Sequence, residues 1–172
     1  MNEIWIDNIP MPPSANEIYE TNVTKVWKTK KGGGKYLGFK TSRRRADCLI
    51  EFQLKCQSFK NCNLENFKRI QKQCIEWINQ GYVLRLDSFF VFEQSRIWTK
   101  AGHPQQMDAD NRRKPLQDAI TNLIGIDDKW VFSGNIEKAT CDSKDYEQTI
   151  VKISPVKARD IKQILQEKNK II

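Results

Sequence analysis

Five aspartates (Asp108, Asp110, Asp118, Asp127 and Asp128) fall within 21 positions of a 172-residue chain whose net charge is +8. The segment reads MDADNRRKPLQDAITNLIGIDDKWV. Asp108 and Asp110, at i and i+2, point the same way if the chain is extended there, and their repulsion then raises a pKa and costs stability. A hard divalent ion removes that penalty. Mg²⁺ takes carboxylate oxygens while keeping waters for substrate phosphates, with Mn²⁺ as a possible substitute. A plainer reading is capping, because Asp and Asn are favoured at helix N-termini and Asp-Asp in turns. Capping needs one acidic residue, however, and Asp108, Asp110 and Asn111 offer three polar groups. The single histidine, His103, makes Ser-His-Asp hydrolysis and histidine-rich metal sites poor readings. Hydrolytic chemistry in this chain would rest on carboxylates, lysine and a metal ion.

Other motif readings fail at particular positions. An EF-hand loop starting at Asp108 needs Gly where Arg113 stands and Glu where Ala119 stands. The GGGK at residues 32–35 lacks the first Gly and the final Ser or Thr of a phosphate-binding P-loop, having Thr29 and Tyr36 instead. Asp108-Ala109-Asp110 also matches the short D-x-D of nucleotide-sugar transferases, whose donor site belongs to a larger domain than this length allows.

The positioning elements follow from periodicity. Residues 116, 119, 120, 123 and 124 (Leu, Ala, Ile, Leu, Ile) form one helical face, with Gly125 as the stop. Pro115 is tolerated in a first turn, which predicts a start near Arg113. About 11 residues span roughly 16 Å, so Asp128 cannot lie beside Asp108 along that helix. It reaches the site only if the helix packs obliquely, or if it comes from a second subunit. Upstream, residues 4–9 read as a strand and 82–93 as a central one, with Leu84, Leu86, Ser88, Phe90 and Phe92 on one face. Helices are predicted over 42–58, with Ala46, Leu49, Ile50 and Leu54 as its stripe, and over 64–79, with Phe67, Ile70, Cys74, Trp77 and Ile78 as its stripe. Residues 93–107 read as a loop, 130–141 and 146–155 as a closing hairpin, and 158–172 as a terminal helix. Residues 22–45 form a basic arm around Gly32-Gly33-Gly34, a mobile hairpin or loop.

Twenty-nine Lys plus Arg against 21 Asp plus Glu fits a polyanion partner. Five cysteines without a C-x-x-C pair read as free thiols in a reducing compartment. With neither a secretory leader nor an apolar span, the expectation is a cytoplasmic protein without a membrane partner.

Three passages in order resemble the RusA family of Holliday-junction resolvases. MPPSANEIY (11–19) is similar to the family's W-P-P-S-x-N-x-x-Y, DADNRRKPLQDAI (108–120) to its D-x-D-N-x-x-K-x-x-x-D-A-L, and GIDDKWV (125–131) to its G-x-x-x-D-D-x-x-V, two residues shorter before the pair. The resemblance implies an α/β (α+β) fold, a small mixed β-sheet flanked by helices, acting as a homodimer. It implies a nuclease domain over 1–155 and a helical tail over 156–172. The metal ligands implied are Asp108, Asp110 and Asp128, with Lys114 as the catalytic lysine. Asn111 and Asp118 match the motif's amide and its acidic residue within the helix. The implied activity is Mg²⁺-dependent nicking of branched DNA in recombination and repair, the alternative being a DNA-binding protein without catalysis. Arg112, Arg113 and the arm lysines Lys28, Lys30, Lys31 and Lys35 are the expected phosphate contacts. Met11 in place of the usual aromatic, a longer stretch over 57–80 and the tail depart from the pattern.

Overall fold

The computed structural model describes residues 3–14, 19–22, 26–27, 34–35, 38–41, 43–105 and 109–160, with backbone only over the described positions from 19 to 46. Its centre is β6 (Val83–Glu93), whose alternate residues Leu84, Leu86, Ser88, Phe90 and Phe92 are all buried. The period of two puts those side chains on one face, and Phe90 and Phe92 have no exposed surface. Burying a side chain of that size contributes roughly 1.5–3 kcal/mol.

β6 has more neighbours than a hairpin strand. β9 (Gln148–Val156) runs antiparallel along one side, and β1 (Ile4–Ile9) pairs antiparallel with β9. On the other side lie β7 (Val131–Ser133) and β8 (Ile136–Cys141), both parallel to β6. The expected closing hairpin of the last two strands is therefore not formed, because β6 lies between β8 and β9. Local alternation predicts that two segments are strands, but a turn between them does not oblige them to pair. Gly134 marks the break between β7 and β8: a Cβ there would stand 1.9 Å from the carbonyl oxygen of Leu86. The sheet backbone approaches too closely for any side chain at that point.

α1 (Arg43–Cys62), α2 (Leu64–Asn79) and α4 (Asp110–Ile124) supply the other half of the core. α2 keeps its expected bounds and buries Phe67, Ile70, Cys74 and Trp77. α1 does not bury the expected stripe. Phe52 and Cys56 are buried and Leu49 packs against the core, while Ile50 and Leu54 are 52% and 66% exposed. The burying face is 49, 52 and 56, about a quarter-turn away from the apolar stripe, because α1 packs on α4 rather than directly on the sheet. Between β6 and α4 a four-residue α3 (Gln94–Ile97) interrupts the expected loop. The basic arm contains two nested antiparallel pairs, β2 (Tyr19–Asn22) with β5 (Gly38–Thr41) and β3 (Val26–Trp27) with β4 (Gly34–Lys35). The expected terminal helix falls mostly outside the described residues. The cysteines are free thiols, and burial pushes Cys56 up to about 11 and Cys74 up to about 12. The result is an α+β fold, a mixed sheet flanked by helices. Among the described residues no helix is long and apolar enough to cross a membrane.

Candidate active site

α4 begins at Asp110, three residues before the predicted start. Its N-cap, Ala109, has φ −79° and ψ −31° and offers no side-chain capping bond of its own. Asp110 is thus not a cap, though its charge faces the positive end of the helix dipole. Pro115 becomes the sixth helical residue and cannot donate the i→i−4 bond to the Asn111 carbonyl. One missing bond near a helix end is a smaller loss than forgoing the first turn. The helical Ala109 also removes the premise that Asp108 and Asp110 are related by strand alternation. Asp108 itself lies outside the described residues.

Asp110, Lys114 and Asp118 follow one another at i, i+4 and i+8, which stacks them along one face of α4. The Lys114 Nζ stands 2.7 Å from Asp118 Oδ1 and 3.5 Å from Asp128 Oδ2. Its ammonium is held above the usual lysine range, first by the hydrogen bond to Asp118. A desolvation penalty opposes this, and the charge of Asp118 and contact with Asp128 add to it. All three side chains are about half exposed or more.

Asp128 returns to Lys114 within one chain, while Asp108, the residue it was expected to reach, lies outside the described residues. Gly125 adopts φ 73°, and its N–H and that of Ile126 both donate to the Thr121 carbonyl. This left-handed stop reverses the chain, so residues 126–128 run back beside the helix they have just left. Roughly 3.3 Å per extended residue covers much of the distance from the helix end back towards Lys114, and the lysine's length covers the rest. No second subunit is required for the Lys114–Asp128 contact. Asp127, by contrast, serves the turn: it accepts from the Lys129 N–H and pairs with the Lys129 ammonium, and that backbone bond, followed by the ammonium, lowers its pKa.

Arg112 departs from its expected role. It is only 6% exposed, donates to the Pro12 carbonyl, and lies with its guanidinium carbon 5.7 Å from the Phe92 ring centroid. A buried guanidinium cannot grip a phosphate in solvent. Arg112 instead ties the Pro12-Pro13 segment to the start of α4, so the first two matched passages are in physical contact. Arg113 is exposed. Lys28, Lys30 and Lys31 lie outside the described residues, and only the backbone of Lys35 is described.

The sequence reading missed the partnership of Asp118 with Lys114, for which the i,i+4 spacing was the available signal. It also missed the charge cluster at Asp87. That carboxylate is buried on β6, accepts from the Asn135 N–H at 2.8 Å, and pairs with Arg85 at 2.9 Å and Lys152 at 3.5 Å. No spacing rule links residues 85, 87, 135 and 152.

Among the described residues no three His, Cys, Asp or Glu side chains converge on one cation position, and one member of the expected triad, Asp108, is not among them. The donor chemistry nonetheless fits a hard divalent cation. Asp118 and Asp128 already hold one positive charge between them, and solvent-exposed carboxylate oxygens suit Mg²⁺ or Mn²⁺.

The family model described as Endodeoxyribonuclease RusA matches residues 10–154. No curated protein matches. Among solved structures the chain is similar to a 2C-methyl-D-erythritol-2,4-cyclodiphosphate synthase at 8% identity and a TM-score of 0.22, over 67% of this chain and 54% of that one. A likeness that slight carries no argument.

Proposed function

The chain belongs to the RusA family of endodeoxyribonucleases, and on that premise we propose that it resolves four-way DNA junctions as a homodimer, through paired, Mg²⁺-dependent symmetric nicks. The observation that carries this reading is the single-chain contact of Lys114 with Asp128, which brings two of the matched passages to one place. Asp108, Asp110 and Asp128 are the side chains that would hold Mg²⁺. When bound, it supplies a water nucleophile at neutral pH and offsets charge on the pentacovalent phosphorus.

The chain's own part is positional and electrostatic. Lys114 carries a full positive charge on the exposed face of α4, where its ammonium can meet the scissile phosphate and neutralise charge as the leaving oxygen departs. Asp110 stands one turn from Lys114 on that face, and the Gly125 turn presents Asp128 to the same ammonium. Arg113 and the arm lysines would hold flanking phosphates without reading sequence. A two-fold dimer suits a junction that needs two equivalent cuts. Recombination and repair are the processes such a cut serves.

The test is Asp110→Asn on a labelled four-way junction. Cleavage in Mg²⁺ should fall by at least about 10²–10³-fold, while junction binding stays the same or tightens because a negative charge leaves the DNA face. Wild-type cleavage by the variant would remove the proposed site. A gel shift with no product from the wild-type protein, in Mg²⁺ or Mn²⁺, would leave a DNA-binding protein without catalysis.

A further inference from the structure

We propose that Asp118 is a positioning residue of the nuclease site, acting only through Lys114: it holds the ammonium on the exposed face of α4, between the helix and the Asp128 turn. The inference rests on the nuclease reading above and adds to it a residue to which the site otherwise assigns no task.

Geometry separates this pair from an ordinary helix-surface ion pair. The closer of the two carboxylates around Lys114 is Asp118, at 2.7 Å against 3.5 Å for Asp128. The order of the pair is the weaker one for helix stability, since an acidic residue four positions before a lysine is better than the reverse. The lysine also sits in the N-terminal half of α4, where the helix dipole disfavours a cation. With side chains 68% and 48% exposed, such a pair contributes little to folding. Stability does not account for the arrangement. What the arrangement does is restrict a long, flexible side chain to one direction.

That restriction matters because Asp128 has two suitors. An unrestrained Lys114 ammonium would settle on Asp128 and compete with a divalent cation for its oxygens. Anchored to Asp118, the ammonium keeps its place when Asp128 turns to a metal, and remains one helical turn from Asp110. Asp118 needs no contact with metal or DNA for this.

A double-mutant cycle tests the assignment, because a residue acting through another loses its effect when that other residue is gone. Single-turnover junction cleavage and Mn²⁺ affinity by electron paramagnetic resonance are measured for the wild type, Asp118→Asn, Lys114→Ala and the double variant, and for Asp118→Glu. Asp118→Asn should slow cleavage about 10- to 100-fold, the range expected for a misplaced catalytic group. In the Lys114→Ala background the same change should alter neither the cleavage rate nor the Mn²⁺ affinity by more than about 2-fold, the tolerance of an additive cycle. Asp118→Glu should recover most of the rate, since a glutamate at i+4 still reaches Lys114. Thermal midpoints should stay within a few degrees of one another.

Three results overturn the proposal. The first is Asp118→Asn cleaving as fast as the wild type. The second is an equal loss of rate with and without Lys114. The third is weaker Mn²⁺ binding in the Lys114→Ala background, which would make Asp118 a metal ligand. A wild-type protein that binds junctions and never cuts them sinks the nuclease reading instead, and that outcome is distinct from all three.

Discussion

Two charge clusters in this molecule use the same side-chain chemistry in opposite surroundings. Asp87 on β6 is almost wholly buried and is met by Arg85, Lys152 and the Asn135 N–H. Burial by itself would push its pKa up, but those three partners outweigh burial and leave the carboxyl below its usual value. Lys114 on α4 is mostly exposed and is shared by two half-exposed carboxylates. The buried cluster is complete. It pins the Gly134 kink between β7 and β8, because its acceptor oxygen takes the N–H of the next residue. The exposed cluster has acceptor oxygens facing solvent, so a further cation or a phosphate can enter without breaking the fold. Satisfied charge builds structure, and charge left open to solvent is available for chemistry.

The sharpest way to break that contrast is to delete one carboxylate from each cluster. Asp87→Ala removes the shared acceptor of the Asn135 N–H and the partly exposed Arg85 and Lys152, and should destabilise the protein by about 1–3 kcal/mol. Asp128→Ala should change stability by less than about 1 kcal/mol, yet abolish cleavage. Urea melts of both variants check the pair. Equal stability losses would collapse the distinction between a structural and a functional cluster.

Acid should expose the same difference more gently. A carboxyl whose folded pKa is depressed contributes stability above its unfolded value, about 3.9. That contribution is lost as the pH falls through the lower folded value. Wild-type stability should therefore drop below about pH 4, and the part of that drop due to Asp87 should vanish in Asp87→Asn. If the two proteins lose stability in parallel on acidification, Asp87 is not the ionised, partnered group described here.

The smallest effect concerns the lysines of the basic arm. Lys28, Lys30 and Lys31 changed together to alanine should weaken binding to every DNA sequence and lower the salt dependence by about 0.9 per lost phosphate contact. The ratio of junction to linear-duplex affinity should move much less. A salt titration identical to wild type would mean that these lysines serve solubility alone.

Much of this was legible before any coordinates. The alternation along β6, the bounds of α2, the apolar face of α4 and the Gly125 stop all follow from local periodicity and backbone preference. Each depends on residues within a turn or two of one another. The RusA resemblance placed Asp110, Lys114 and Asp128 in one site, and the fold brings Lys114 and Asp128 within contact distance of each other. Local pattern failed where the partner was distant. It assigned β8 and β9 to each other because they are consecutive, whereas β6 supplies both with hydrogen bonds. It oriented α1 by its apolar residues and not by the α4 surface that it meets. It read Arg112, with Arg113 and the arm, as a grip on flanking phosphates, although its guanidinium donates to the Pro12 carbonyl, 100 positions away.

Periods, stops and donor types follow from the residues alone: the alternation of β6, the bounds of α2, the end of α4, and the expectation that hydrolysis rests on carboxylates, lysine and a metal ion. Only the tertiary structure decided which charges are enclosed and which stay open. Asp87 and Asp128 are the same residue in the same chain. Their difference lies in what packs over them, and desolvation depends on neighbours in space rather than neighbours in sequence.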